Sequence, residues 1–191
     1  MFELVGPEHR LRPAVESTIR SAFHRGHDAR LTTLPHWLVA RVDDTGVIGA
    51  ASLRFAEDGF FSEHYLDQPV ERAIAQQTGT TPDRRELAEV GGLAAGRPGE
   101  IRDMIGGIVG FLQDRGMRWA FFTATIRLRF LLRRTGIPLI DLATADPARI
   151  EAAESWGRYY QQQPRVVAVG DDRLRVTFHP AHPVPGGHVH V

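Results

Sequence analysis

The sequence predicts a single α+β or α/β sandwich in which one mixed sheet is covered by helices. The chain has 191 residues and an ordinary globular composition, with 42% hydrophobic and 24% charged residues. Strand-like runs and helical patterns alternate along it, and the order closes with further strands. No repeat or linker divides these patterns, so residues 1–178 form the predicted domain and residues 179–191 a tail.

The first half of the chain predicts a strand and a helix, then a hairpin and a short helix. Pro7 suits a helix start, and Leu11, Val15 and Ile19 recur at helical spacing until Gly26. Besides this helix, the predicted elements are strands over Phe2–Val5, His36–Asp43 and Val47–Phe55, with a helix over Pro69–Thr78.

The second half predicts a strand that leads through a glycine loop into a long helix. An apolar stripe that includes Met104, Ile108 and Phe111 defines this helix, which ends at Gly116. The predicted elements are a strand over Glu86–Ala95, the loop Gly96–Gly99, the helix from Ile101, strands over Trp119–Thr125 and Pro138–Leu142, helices over Leu128–Arg134 and Pro147–Gln162, and a hairpin over Val166–Phe178.

The composition excludes several kinds of chemistry. Lys+Arg and Asp+Glu are both 23, so the net charge is zero and nucleic acid is not an expected partner. There is no cysteine nucleophile or disulfide, and because all 23 basic residues are Arg, there is no lysine Schiff base. No segment resembles a secretory signal or a membrane span, so we expect a cytoplasmic protein. The histidines of the tail fix no coordination geometry, so no metal site is predicted.

Four segments of the chain resemble the thermostable hemolysin family. The element order, with its strand, glycine loop and helix over Glu86–Gly116, is also similar to the GNAT acyltransferase fold, which acyl-homoserine-lactone synthases share. This resemblance implies a GNAT-like mixed sheet, mostly antiparallel and flanked by helices. The chain departs from the pattern at Gly92, where the family usually has Asn, and at Leu131 and Leu132, where GNAT proteins often carry a Tyr acid. The four segments are Phe60–Glu71 (FFSEHYLDQPVE), Glu89–Ala95 (EVGGLAA), Phe122–Ile137 (FTATIRLRFLLRRTGI) and Ala145–Val166 (ADPARIEAAESWGRYYQQQPRV).

The resemblance implies an acyltransferase that moves an acyl group from acyl-CoA or acyl-carrier protein to a small amine. Its co-substrate would be a coenzyme A or phosphopantetheine thioester, with no permanently bound cofactor. A membrane-active protein, as the family name suggests, is one alternative, but the sequence shows no spanning segment and no strong basic amphipathic face. A non-catalytic binder of acyl groups or coenzyme A is the other. A homodimer is compatible with the sequence.

The glycine loop is the predicted donor site. Backbone N–H groups at a helix amino terminus favour anions, and Arg97 and Arg102 would add hydrogen bonds to phosphate. In GNAT proteins the pantetheine and pyrophosphate of coenzyme A lie here. We expect N–H groups near Leu93–Ala95, where the strand would part from its neighbour, to hold the oxyanion. The alternative is a plain strand-to-helix turn. The predicted donor residues are Leu93, Ala94, Ala95, Gly96, Arg97, Gly99 and Arg102.

The acidic, aromatic segment Glu57–Asp67 is the predicted amine site. Carboxylates beside aromatic rings can hold a cationic amine, and Glu63 is the best single candidate for a catalytic contact with it. Phe61 and Tyr65 would line the same site. The alternative is an exposed acidic loop.

Glu89 is the predicted general base. Strand alternation places Leu87, Glu89, Gly91 and Leu93 on one face, with open space beside the glycines. Desolvation there would raise the carboxyl pKa toward neutrality, which suits proton removal from an ammonium group. The alternative is an ion pair with an arginine, which would lower the pKa and make Glu89 structural.

Two further pairs are predicted to contact substrate. Trp156 and Tyr160 lie four residues apart in the helix predicted over Pro147–Gln162, so they share a face that is either core or a wall for an acyl chain. Thr123 and Thr125 alternate on one predicted strand, where they either bind a substrate carbonyl or fill the strand.

Overall fold

The computed structural model describes residues 1–95, 100–134 and 136–170. Within these residues, seven strands form one sheet in the order β1-β2-β3-β4-β5-β7-β6. Only β4 and β5 run parallel, and the five other neighbouring pairs are antiparallel. This confirms the predicted mixed, mostly antiparallel sheet. The strands are β1 (Phe2–Val5), β2 (Trp37–Asp43), β3 (Gly46–Arg54), β4 (Leu87–Ala95), β5 (Trp119–Ala124), β6 (Ile140–Thr144) and β7 (Arg165–Gly170), and the helices are α1 (Arg12–His27), α2 (Val70–Thr78), α3 (Ile101–Gln113) and α4 (Ile126–Arg134).

Helices cover both faces of the sheet. On one face α1 packs through Val15 and Ile19 against the first four strands, and α2 packs through Val70 and Ile74 against the other end. On the opposite face α3 and α4 pack against the sheet through their apolar stripes, which include Met104, Ile108 and Leu132. None of the helices formed by the described residues is long and apolar enough to cross a membrane.

The sheet opens at its centre, between its two parallel strands. β4 and β5 pair only over three residues each, from Leu87 opposite Trp119 to Glu89 opposite Phe121. Beyond that point β4 continues along β3 and β5 continues along β7, so the two strands part toward their carboxyl ends. The prediction put this opening near Leu93–Ala95, and the structure begins it at Glu89. We call it the β4–β5 opening.

A β-bulge at Gly92 changes which side chains face the opening. From Ser52 to Ala50, β3 advances by two residues while β4 advances by three, from Gly91 to Ala94. Gly92 takes the extra position with φ +56°, a left-handed conformation that favours glycine. Leu93 therefore packs in the cluster of α3, so the prediction that it shares the face of Glu89 is wrong. The predicted open space is also filled, because Ser52 and Ile19 lie against the two glycines.

The helix predicted over Pro147–Gln162 is wrong. The segment forms three short 3-10 turns, Pro147–Arg149, Ala153–Trp156 and Tyr160–Gln162, which are separated by residues with positive φ. Tertiary contacts replace the helical hydrogen bonds, since the N–H of Arg158 donates to the carbonyl of His27 and that of Arg30 donates to the carbonyl of Ser155. We call residues 151–163 the aromatic strap.

Other boundaries shift less. α1 begins at Arg12 rather than near Pro7, and β5 ends before Thr125. The predicted loop Gly96–Gly99, the second strand of the last hairpin and the tail lie outside the described residues.

Candidate active site

Glu89 lies at the point where β4 and β5 part, and it accepts three hydrogen bonds. The N–H of Phe61 donates to Oε2 at 2.6 Å, and the N–H and Oγ of Ser62 donate to Oε1 at 2.8 and 2.6 Å. The side chain is only 6% exposed. The 3-10 turn Phe61–Tyr65 thus presents its first N–H groups to a carboxylate buried in the middle of the sheet.

The environment of Glu89 has the predicted desolvation and lacks the ion pair that was the alternative within the described residues. Burial raises the pKa of its carboxyl, and the hydrogen bonds from Ser62 and Phe61 oppose that rise only in part. No arginine among the described residues forms an ion pair with it. The charge is held instead by backbone and hydroxyl donors, so the carboxylate is available for proton exchange at a pH above the usual range of a glutamate.

A chain of hydroxyl groups connects Glu89 to β5. Ser62 Oγ lies 2.8 Å from Thr123 Oγ1. An ionised carboxylate can only accept, so the proton of Ser62 points to Glu89 and Thr123 must donate to Ser62. Thr123 Oγ1, at the end of this series of hydroxyls, can then accept a further hydrogen bond. Tyr159 also contacts this group, because its hydroxyl donates to the backbone carbonyl of Thr123 at 3.0 Å.

Aromatic rings from three parts of the chain pack beside this hydroxyl chain. The rings of Phe61 and Trp156 stack at a centroid distance of 5.7 Å. Phe23 of α1 contacts Trp156 and Tyr159 at 6.2 and 6.1 Å. The hydroxyls of Tyr65 and Tyr160 lie 2.7 Å apart, and burial raises the pKa of both phenols, so both stay protonated. Trp156 and Tyr160 do meet, at 6.4 Å, although no continuous helix joins them.

Glu63 lies in an ion pair rather than against the opening. Arg84 donates to both of its carboxylate oxygens at 2.6 and 2.8 Å, and the N–H of Val70 donates to it as well. Desolvation opposes ionisation, but the bonds from Arg84 and Val70 hold the pKa of Glu63 below its usual value. Arg84 also bonds Glu71 and lies over the ring of Phe60. A surface depression of about 510 Å³ beside this pair does not include Glu89.

The two predicted threonines do not lie on the same face in the structure. Thr123 belongs to β5 and to the hydroxyl chain, whereas Thr125 follows the strand and its Oγ1 accepts weakly from the N–H of Leu128 at 3.4 Å. Thr125 therefore caps α4 rather than sharing the face of Thr123.

Among the described residues of the predicted donor site, the one on helix α3 is accessible to solvent. Arg102 is exposed in the first turn of α3, and Ala94 is buried between β3 and α1. Leu93 and Ala95 are half-buried on β4, beyond the last pairing with β5. Gly96, Arg97 and Gly99 lie outside the described residues.

Four residues of this site were not among the predicted site residues: Ser62, Tyr159, Phe23 and His27. Ser62 was visible only as a polar residue inside the predicted amine segment. His27 contacts the ring of Tyr159 at 5.2 Å, and burial lowers its pKa. These contacts join segments far apart in the chain, so no local pattern signals them.

The architecture matches solved structures of acyl-homoserine-lactone and N-acyl amino acid synthases. The acyl-homoserine-lactone synthase LasI matches with a TM-score of 0.60 at 6% identity, over 89% of each chain. FeeM, an N-acyl amino acid synthase from uncultured soil microbes, matches with a TM-score of 0.59 at 12% identity, over 92% of this chain and 97% of its own. The CoA-dependent acyl-homoserine lactone synthase BjaI, with SAM and isopentyl-CoA, matches with a TM-score of 0.60 at 11% identity, over 89% of this chain and 82% of its own. The chain therefore has the GNAT-like fold of these synthases.

The family follows from the sequence itself. Residues 5–173 match the thermostable hemolysin family, and the chain belongs to it. No curated protein sequence matches the chain.

Proposed function

We propose that this protein is an acyltransferase that moves an acyl group from a pantetheine thioester to a small amine. The observation that carries the proposal is the β4–β5 opening with a buried, hydrogen-bonded carboxylate at its apex. Strands that part in this way leave N–H groups without a strand partner, and such groups stabilise an oxyanion. LasI and BjaI, which share the fold, are named as acyl-homoserine-lactone synthases, and FeeM as an N-acyl amino acid synthase.

In the proposed reaction the amine nitrogen attacks the thioester carbonyl carbon. The C–N bond forms, the C–S bond breaks, and the thiolate leaves and is protonated by water, since Leu131 and Leu132 stand where GNAT proteins often have a Tyr acid. The ammonium proton passes to Thr123 Oγ1, then along Ser62 Oγ to Glu89 Oε1, which the hydroxyl chain connects. N–H groups near Leu93–Ala95 would hold the oxyanion, and Arg102 would contact the donor phosphates.

The aromatic rings beside Thr123 suit the apolar part of a substrate. Phe61, Trp156 and Tyr160 are half-buried, so they offer apolar surface without being wholly enclosed by the core. An acyl chain or a cationic acceptor would gain from contact with these rings.

The test is thiol release from acyl-CoA and acyl-carrier donors in the presence of amino acids and of S-adenosylmethionine. Because the chain has no cysteine, every thiol that reacts with a thiol reagent comes from the donor. Amide products identified by mass spectrometry would support the proposal. If no donor binds and no thiol is released with any acceptor, the proposal fails.

A non-catalytic acyl binder is the second candidate. It is favoured by one observation, namely that both oxygens of Glu89 are already occupied by donors of the protein. In that case the donor would bind in calorimetry, yet acceptors would produce no thiol.

A further inference from the structure

Helix α4 has two apolar stripes, and only one of them packs against the sheet and α3. Leu128 and Leu132 face the core formed with α3, and Leu132 is 3% exposed. Ile126 and Phe130 are four residues apart, so at about 3.6 residues per turn they share a different side of the helix. They are 52% and 63% exposed. Exposed large apolar side chains grouped on one helix side are typical of a surface that binds a partner.

Arginines surround this exposed stripe. Arg127, Arg133 and Arg134 are exposed, and the helical spacing places them on the same side as Ile126 and Phe130. α4 contains no acidic residue, and none of these three arginines forms an ion pair with a described residue. We call these five residues the α4 face.

The fourth arginine of the helix has a structural role instead. Arg129 donates to the carbonyls of Ala124 and Gln163, at 3.2 and 2.8 Å, and so ties α4 to β5 and to the aromatic strap. By contrast, the guanidinium of Arg134 lies 5.7 Å from the ring centre of Phe130, on the exposed side.

α4 begins at the same end of the sheet as the β4–β5 opening. α4 begins directly after the carboxyl end of β5, and α3 follows the carboxyl end of β4. Both helices therefore start at the end of the sheet where the two parallel strands have parted. A macromolecule that binds the α4 face would be placed next to the proposed donor site.

We propose that the α4 face docks the acidic surface of an acyl-carrier protein, and so makes a carrier-bound thioester the donor of the reaction proposed above. An acidic partner with a small apolar patch complements three arginines around two apolar side chains. The face is about 13 Å long, which matches one helix of a small partner rather than an extended surface. Docking by the carrier would position the phosphopantetheine thioester at the β4–β5 opening.

Two other occupants fit the face less well. Membrane binding grows with the apolar area that is buried, and two side chains supply little of it. A symmetric dimer through this face would bring two sets of three arginines together, and their repulsion would oppose it.

The test measures binding of a purified acyl-carrier protein in its apo form, which lacks the prosthetic arm. We expect binding that weakens with salt, and that weakens about 10-fold or more in Arg133→Glu/Arg134→Glu and in Phe130→Ser. Arg10→Glu/Arg25→Glu reverses two exposed arginines on another surface and serves as the matched control. Melting temperatures establish that all variants are folded.

Activity provides a second measurement. In Arg133→Glu/Arg134→Glu, the ratio of kcat/KM for carrier-bound donor to that for the CoA thioester should fall about 10-fold. The docking proposal is overturned if apo carrier does not bind, if both charge reversals weaken it equally, or if the α4 variants abolish binding to phosphatidylglycerol vesicles or self-association instead. Docking is measured without acyl transfer, so carrier binding without thiol release from any donor would contradict the proposed function alone.

Discussion

At the scale of single residues, we expect substitution of Glu89 to change the rate of the proposed reaction the most. Glu89→Gln keeps the shape but removes the proton acceptor, so we expect kcat to fall roughly 10²–10⁴-fold. In the unchanged protein, activity should rise with pH through the raised pKa of this carboxyl. pH–rate profiles of both proteins, with melting temperatures, test this. Full turnover in a variant of lowered stability would assign Glu89 to the scaffold.

The same residue makes the stability depend on pH. Its pKa is raised in the folded state, so the native protein holds the proton more strongly than the unfolded chain does. The stability that this contributes is complete below the unfolded pKa and is lost as the pH rises through the folded one. The free energy of unfolding of the native protein, relative to that of Glu89→Gln, should therefore decline as the pH rises above about 4.5. A difference that is constant with pH would contradict the raised pKa.

Thr123 and Thr125 form a natural pair of test and control. Thr123→Val removes the end of the hydroxyl chain, so we expect kcat to fall about 10- to 100-fold with the donor KM nearly unchanged. Thr125→Val removes the weak cap of α4, so it should lower stability by about 1 kcal/mol and leave kcat almost unchanged. Steady-state kinetics and denaturant unfolding separate the two. Equal kinetic losses in both variants would remove the hydroxyl chain from the mechanism.

Glu63 decides whether its segment holds the acceptor. The prediction from the sequence is that Glu63→Gln raises the acceptor KM and leaves the donor KM nearly alone. The ion pair with Arg84 predicts a loss of stability instead, of about 1 kcal/mol because both side chains are partly exposed. Acceptor saturation curves together with melting temperatures distinguish the two roles. A stability loss with both KM values unchanged would make the segment structural.

At the scale of elements, the aromatic strap depends on Gly157. A Cβ there would overlap the carbonyl oxygen of His27 and lie 2.6 Å from that of Asp28, and φ is +56°. We expect Gly157→Ala to cost about 3 kcal/mol or more, because strain and overlap act together. Gly79→Ala is the control, since Gly79 also has a positive φ but open space around it, and it should cost about 1 kcal/mol. Denaturant unfolding of both compares them, and equal costs would show that the overlap is relieved.

The aromatic strap is also an example of structure that could not be predicted from local sequence patterns. β2, β3, α2 and α3 were predictable because alternation, a turn and an apolar stripe are local patterns. The bulge at Gly92 and the strap were not, since their backbone is set by Ser52, Ile19 and His27, which are distant in the chain. Glu89 was recognisable as a buried carboxylate, but its donors, Phe61 and Ser62, come from 28 and 27 residues away.

At the scale of the whole molecule, a bound donor would contact two parts of the sheet that are joined by only a short stretch of strand pairing. The first part is β1–β4 and the second is β5–β7, and three residue pairs join them. A ligand that binds only the folded state stabilises it, by about 2.7 kcal/mol at 100 times its Kd. Thermal unfolding with and without donor should show this increase. Arg102→Ala should reduce it, while Arg25→Ala should not.

The two parts are also contiguous in sequence, residues 2–95 and 119–170. Each contains its own antiparallel pairings, whereas Glu89 and Ser62 come from the first part and Thr123 and Tyr159 from the second. The hydroxyl chain therefore exists only after the two parts have associated. During refolding, catalytic activity would return with the association of the parts, later than the far-ultraviolet circular dichroism signal of the secondary structure within each part.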